Sequence, residues 1–188
     1  MTQNNFVSSW LGDFVPGFWT SCRKFWFEVR SIIAPMSSTQ PIGVFDSGVG
    51  GLSVLRAMRE LMPNENVVFF GDQGHVPYGP RPKEEIQKFS EGITRFLLEK
   101  NAKLIVVACN TASAAALTYL RGRFPDVPFV GMEPAGKPAA ESTKTGRVGV
   151  LATPATFQGA LYAAVVERFG DAQTHGDRLA EQVGGREV

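Results

Sequence analysis

Cysteine and histidine are almost missing from this chain: two of each in 188 residues, Cys22 and Cys109, His75 and His175. The cysteines stand far apart in unlike surroundings, which argues against a disulfide framework and against a thiolate zinc site; a reducing compartment is the natural expectation. Two isolated histidines supply no metal-ligand spacing, and no metal is expected. An excess of either charge is lacking too. With 19 basic and 18 acidic residues interspersed, the net charge is +1, and no broad field draws the chain to nucleic acid or to an anionic membrane. Nor is there an unbroken apolar run of membrane-spanning length, because Asp13, Arg23, Lys24, Glu28 and Arg30 interrupt the aromatic stretch near the start. What remains, 44% hydrophobic and 20% charged residues, is the composition of a globular domain whose default is small-molecule chemistry.

Residues 1–35 form a segment of another kind. They hold all three tryptophans (Trp10, Trp19, Trp26) and five of the fourteen phenylalanines, without the basic start and apolar core of a secretory signal. Two readings fit: an interfacial aromatic segment, or upstream sequence translated ahead of a start at Met36. The second is preferred, since an ordered pattern begins a few residues after Met36 and does not require what precedes it. This leader is expected to lie outside the fold.

From Pro41 onward the pattern alternates strand and helix. Ile42–Phe45 reads as a strand, and Gly51–Met62 as a helix with Leu52, Leu55, Met58, Leu61 and Met62 on one face. Val67–Phe70 is the second strand. Lys83–Lys100 follows as an amphipathic helix, with Ile86, Phe89, Ile93, Phe96 and Leu97 at helical spacing and Glu84 and Glu85 in its first turn. The apolar run Leu104–Ala108 is a third strand, covered on both faces and ending at Cys109, and Thr111–Leu120 has the alanine-rich composition of a helix. Pro128–Met132 is expected as a fourth strand, followed by a short helical segment near Pro138. A fifth strand is expected at Val148–Leu151 and a helix at Gln158–Phe169. Such alternation predicts an α/β fold with a doubly wound parallel sheet. After Gly170 the periodicity fades and the chain reads as cut short.

The polar residues at the strand ends carry the chemistry. Cys109 would sit at the carboxyl end of a parallel strand and at a helix start, where open α/β sheets bind ligands and where peptide dipoles favour thiolate over thiol. On that reading it is an acidic, solvent-reachable thiol; on the alternative it is a buried small hydrophobe, the commoner fate of a free cysteine. Asp46-Ser47-Gly48-Val49-Gly50-Gly51 follows the first strand. Its glycines either serve turn geometry alone or present amides to an anion, a carboxylate or phosphate. It is no dinucleotide fingerprint, because Ser53 stands where the third glycine would fall, and no Walker lysine follows. The second strand ends at Gly71-Asp72, and the loop His75-Val76-Pro77-Tyr78-Gly79-Pro80 is stiff enough to wall a pocket or, equally, to serve as a plain connector. Thr153 and Thr156 could bond a carboxylate, with helix capping as the alternative for one of them.

Taken together, Asp-Ser-Gly-Val-Gly-Gly at 46–51, Val-Pro-Tyr-Gly at 76–79 and Ala-Cys-Asn-Thr-Ala-Ser at 108–113 resemble, in order and approximate spacing, the glutamate racemases of the cofactor-independent Asp/Glu racemase superfamily. The resemblance covers about residues 41–169. It implies two similar α/β lobes with the site between them, and a cysteine from each lobe addressing opposite faces of the substrate α-carbon. By that resemblance Cys109 is the catalytic cysteine of the first lobe. Asp46, Ser47, Tyr78, Gly79, Asn110 and Thr111 would line the glutamate site, Thr153 and Thr156 would bind a substrate carboxylate, and Asp46 would assist the thiolate or hold the ammonium group. The second-lobe cysteine of the family lies in a Cys-Thr-His motif that nothing here matches; Gln173-Thr174-His175 lacks the thiol. The expected organisation is therefore a leader (1–35), a first lobe (41–170) and the start of an incomplete second lobe (171–188). The resemblance further implies no cofactor, a small-molecule partner (glutamate), no nucleic acid or membrane partner, compatibility with a homo-oligomer, and a cytoplasmic role supplying D-glutamate for peptidoglycan. An aspartate racemase, or a fragment that binds glutamate without catalysis, remain the alternatives.

Overall fold

The computed structural model describes residues 39–132, 143–145, 152–158 and 163. The aromatic leader, the expected strand at Val148–Leu151, the segment near Pro138, nearly all of the expected helix at Gln158–Phe169, and the tail with His175 lie outside the described residues, as does Cys22.

Eight elements follow one another: β1 (Ile42–Asp46), α1 (Gly51–Leu61), β2 (Val67–Gly71), α2 (Lys83–Glu99), β3 (Leu104–Val107), α3 (Asn110–Arg123), β4 (Phe129–Gly131) and α4 (Pro154–Phe157). The four strands form one parallel sheet in the order β2-β1-β3-β4. Parallel neighbours need a crossover, and the three long helices supply them. β1 and β3 are buried along their whole length, which is why their sequences read as continuous apolar runs rather than as an alternation.

Side-chain alternation along the strands divides the core in two. Phe45, Ile105, Val107 and Phe129 point to the face covered by α2 and α3, where they meet Ile86, Ile93, Leu97, Ala112, Ala116 and Leu120. Ile42, Val44, Leu104, Val106 and Val130 point to the other face and pack on Met58 and Met62 at the C-terminal end of α1. Helices on both faces make the sheet doubly wound, as the alternation predicts. The two helices sharing a face are also tied by polar links. Gln87 Nε2 donates to the Ala115 carbonyl at 3.0 Å, and the Glu91 carboxylate takes Arg95 of its own helix together with Tyr119 and Arg123 of α3.

Two expected faces need correction. Leu52, on the expected face of α1, is exposed; Met58 and Met62 of that face are buried, and Gly51 and Ala57 are buried beside them. The reason is close approach: a Cβ at Gly51 would lie 2.7 Å from Asp46 Cβ, so the helix starts with its glycine pressed on β1 and turns Leu52 outward. Phe96 of α2 lies at the rim of its face, in edge contact with Phe70 at 5.4 Å between ring centroids. Among the described residues no helix is long and apolar enough to cross a membrane.

Candidate functional site

A sheet ordered 2-1-3-4 has a topological switch between β1 and β3, since the chain leaves β1 toward one side and the later strands build toward the other. Loops after neighbouring strands diverge at such a point and open a crevice at the carboxyl ends. Ser47 follows β1 and Cys109 follows β3. The Cys109 thiol donates to Ser47 Oγ at 3.4 Å across this crevice.

Cys109 is also the N-cap of α3. Its backbone is extended, and its Sγ accepts the N–H of Ala112 at 3.4 Å, so the sulfur takes the place that a serine or aspartate oxygen fills at most helix starts. A thiolate formed there meets an aligned amide and the positive end of the helix. The strand end is braced from behind: Ala108 N–H donates to the Phe45 carbonyl at 2.7 Å, and Ser113 Oγ donates to the Val107 carbonyl while accepting Met132 N–H. Contrary to the expectation of a solvent-reachable thiol, Cys109 is only 6% exposed, within the cluster that includes Tyr78 and Ala112.

The glycine-rich turn after β1 has an occupant of its own. Asp46 is buried, and its Oδ2 accepts the N–H groups of Gly48 (3.1 Å) and Gly51 (3.0 Å). The amides that the sequence offered to an external anion are thus satisfied by the carboxylate that precedes them. Asp46 immediately precedes Ser47 of the crevice but spends this oxygen on the turn.

Tyr78 is buried, and its hydroxyl donates to Asp72 Oδ2 at 2.6 Å. Burial first, then the bond to Asp72 and the nearness of Asp72 and Cys109, push the phenol far above its usual value of 10.0, with Arg81 pulling slightly the other way. Tyr78 is therefore a neutral donor whose proton is already committed. Asp72 also receives His75 Nδ1, at 2.8 and 2.9 Å to its two oxygens, which makes it the hub of the second loop. The candidate set read from sequence omitted Asp72, although it stands one residue beyond the strand end, as Cys109 stands two beyond its own.

The remaining candidates converge from a third side. Thr111 Oγ1 lies 3.0 Å from Thr153 Oγ1 and 3.3 Å from Thr156 Oγ1, and the latter two are 3.0 Å apart, a closed triangle of hydroxyls joining α3 to α4. Thr153 occupies the N-cap position of α4 but makes no side-chain cap, so the capping alternative gives way to this triangle. Gly79 packs on Thr153: a Cβ there would lie 3.0 Å from the threonine methyl. Asn110, the first residue of α3, is exposed next to the thiol. Tyr78 and Gly79, Cys109 to Thr111, and Thr153 and Thr156 are thus gathered at one sheet edge. Among the described residues no cluster of three or more metal-ligating side chains is assembled.

Residues 42–187 match the family model Asp/Glu/Hydantoin racemase. The chain belongs to this family. The glutamate racemase of Ectopseudomonas mendocina is 56% identical over 132 residues, covering 70% of this chain and 50% of that protein. Among solved structures, glutamate racemase isoform RacE1 from Bacillus anthracis is similar at 38% identity and a TM-score of 0.65, over 78% of this chain and 57% of that one. The Escherichia coli glutamate racemase, solved with L-glutamate and the activator UDP-MurNAc-ala, gives 36% identity and a TM-score of 0.66, over 79% and 59% respectively. The chain spans about half the length of the curated relatives it matches. In the racemase family, then, the four-strand sheet described here corresponds to one lobe of a larger fold.

Proposed function

We propose that this chain carries the first-lobe half of a glutamate racemase site, in which Cys109 exchanges a proton at one face of the substrate α-carbon. The observation that carries this reading is the placing of a lone thiol at the switch point of the sheet, capping α3 and bonded to Ser47. A thiolate at that point takes the α-proton: the C–H bond breaks, an S–H bond forms, and the electron pair spreads into the substrate carboxylate. Charge developing on that carboxylate is stabilised by donors already fixed in place, here the α3 amides and the Thr111–Thr153–Thr156 hydroxyls. Asp46, Ser47, Gly79 and Asn110 line the same edge, with Tyr78 as its wall. Inversion then requires an acid on the opposite face. Beyond Cys109 the chain's only other cysteine is Cys22, so the second proton carrier belongs to the other lobe of the complete enzyme.

On this reading residues 41–170 are the first lobe, 171–188 begin the second, and residues 1–35 stand apart from both. The whole enzyme interconverts L- and D-glutamate without a cofactor, in the cytoplasm, for peptidoglycan synthesis, and a homo-oligomer is compatible with it. The test is chiral chromatography of L- and D-glutamate, with aspartate in parallel, after long incubation with the purified chain and its Cys109→Ala variant. No inversion is expected, but slow Cys109-dependent exchange of the α-proton in deuterated water is. Accumulation of D-glutamate that Cys109→Ala abolishes would refute the half-site reading, and exchange of aspartate alone would reassign the substrate.

A further inference from the structure

We propose that Asp72 is a positioning residue for Cys109: its buried carboxylate at the end of β2 holds the Tyr78 hydroxyl and so keeps the Tyr78 ring closed on the thiol. The inference rests on Cys109 being the acid–base group, and adds the means by which that group is enclosed.

Asp72 is anchored from behind by its own N–H, which donates to the Asp46 carbonyl at 2.9 Å. Its side chain is 8% exposed and has two partners, the phenol at 2.6 Å and the imidazole Nδ1 at 2.8 Å. A buried carboxylate without partners is costly, so the position is worth holding only if both are used. Tyr78, 2% exposed, shares one buried cluster with Cys109, Ala112 and Ala115. A phenylalanine would bury as much apolar area there. What the hydroxyl adds is direction, because a short bond to a fixed carboxylate leaves the ring one rotation and the Val76–Gly79 backbone one height above the sheet.

The loop has a second fastener that does not use the Tyr78 hydroxyl. Arg81 Nε donates to the His75 carbonyl at 2.8 Å, its Nη1 lies 3.1 Å from Glu85, and the guanidinium sits 5.3 Å from the Phe89 ring, on which His75 itself stacks at 4.0 Å. Loosening the loop at Arg81 and loosening it at Asp72 should therefore differ at the thiol. The Phe89 ring also meets the Tyr78 ring at 5.9 Å between centroids, but only the Asp72 link bonds the Tyr78 hydroxyl and so sets the ring's direction within the cluster it shares with Cys109.

The experiment reads the alkylation rate of Cys109 by iodoacetamide at fixed pH, in the full chain carrying Cys22→Ser so that one thiol reports. Asp72→Ala should raise the rate about ten-fold, the change that loss of one buried hydrogen bond makes in a local opening equilibrium. Tyr78→Phe should raise it by a similar factor, and the double variant should match the larger single effect instead of multiplying them. Asp72→Asn, which keeps an acceptor oxygen for the phenol, should stay close to the parent, and Arg81→Ala should change the rate less than two-fold. A general loss of packing would instead move Arg81→Ala with the others and give no rescue by asparagine. Rates for Tyr78→Phe within two-fold of the parent, a multiplicative double variant, or failure of the asparagine rescue would each overturn the proposal. If Asp72→Ala does not fold, Tyr78→Phe and Asp72→Asn decide it alone. Because the readout is thiol access and not racemisation, a chain that fails to process glutamate leaves this result interpretable.

Discussion

Adding one methyl group at Gly51 measures how tightly the turn before α1 is built. The new Cβ would lie 2.7 Å from Asp46 Cβ, 3.1 Å from Phe69 Cε2 and 3.2 Å from Ala108 Cβ. Carbon atoms in contact prefer about 3.5–4.0 Å, so the first turn of α1 must retreat by roughly an ångström. The nearest obstacle is attached directly to the backbone of a central strand and cannot swing away. That retreat also stretches the 3.0 Å bond from Gly51 N–H to Asp46 Oδ2. Overpacking costs about 1–3 kcal/mol, and a hydrogen bond to a charged acceptor contributes about 1.5–3 kcal/mol. Alanine returns up to about 1 kcal/mol of helix propensity. The expected net loss is about 2–4 kcal/mol, or on the order of 5–15 °C in midpoint for a chain of this size. Gly92 is the paired control. It lies inside α2 with nothing within 4 Å of an added Cβ, so Gly92→Ala should gain about 0.5–1 kcal/mol. Thermal and urea unfolding followed by circular dichroism compare the two. A Gly51→Ala chain as stable as the parent would mean that α1 does not press on β1 as described, and that the Asp46 turn tolerates displacement.

Two pH limbs follow from the same structure. Tyr78 is held above its unfolded value, so its contribution to stability is complete below about pH 10 and is lost as pH rises beyond it; Tyr78→Phe should flatten that alkaline limb, and an unchanged limb would place the ring elsewhere. Glu91 is lowered to about 2, chiefly by the Tyr119 hydroxyl and then by Arg95, so its contribution is present above the unfolded value of 4.5 and is lost as pH falls toward 2. Acid unfolding of Glu91→Gln should lose that part of the transition, and a curve superimposable on the parent would show that the link between α2 and α3 carries no weight.

The order of strands and helices over residues 42–131 was legible because fully buried parallel strands leave plain apolar runs, and because Lys83 to Glu99 shows its acidic first turn and helical spacing openly. The motifs around Asp46, Tyr78 and Cys109 were legible as strand-end clusters. What escaped was governed by contact instead of period. Gly51 and Ala57 form the buried stripe of α1 because they are small, and a periodicity of large apolar residues looks past them to Leu52. The glycine turn announced free amides, but nothing in its spelling tells that Asp46 fills them itself. Asp72 and Tyr78 meet across a loop with no repeat, six residues apart, where neither the helical nor the strand period applies. Cys109 packs as a small hydrophobe does, against the solvent-reachable reading, and its sulfur caps α3, which neither sequence reading foresaw.

The placing of β1 in the interior of the sheet has a consequence for synthesis. β1 pairs with β2, made soon after it, and with β3, whose first residue Leu104 lies about 60 residues beyond Ile42. At ribosomal rates of about 5–20 residues per second, one hydrogen-bonding edge of Ile42–Asp46 stays open for about 3–12 seconds in the growing chain. That edge belongs to an uncharged apolar strand until its final aspartate, the kind that recruits foreign strands when left unpaired. Until Leu104–Val107 emerges, that open edge is where a foreign strand finds the readiest place to pair.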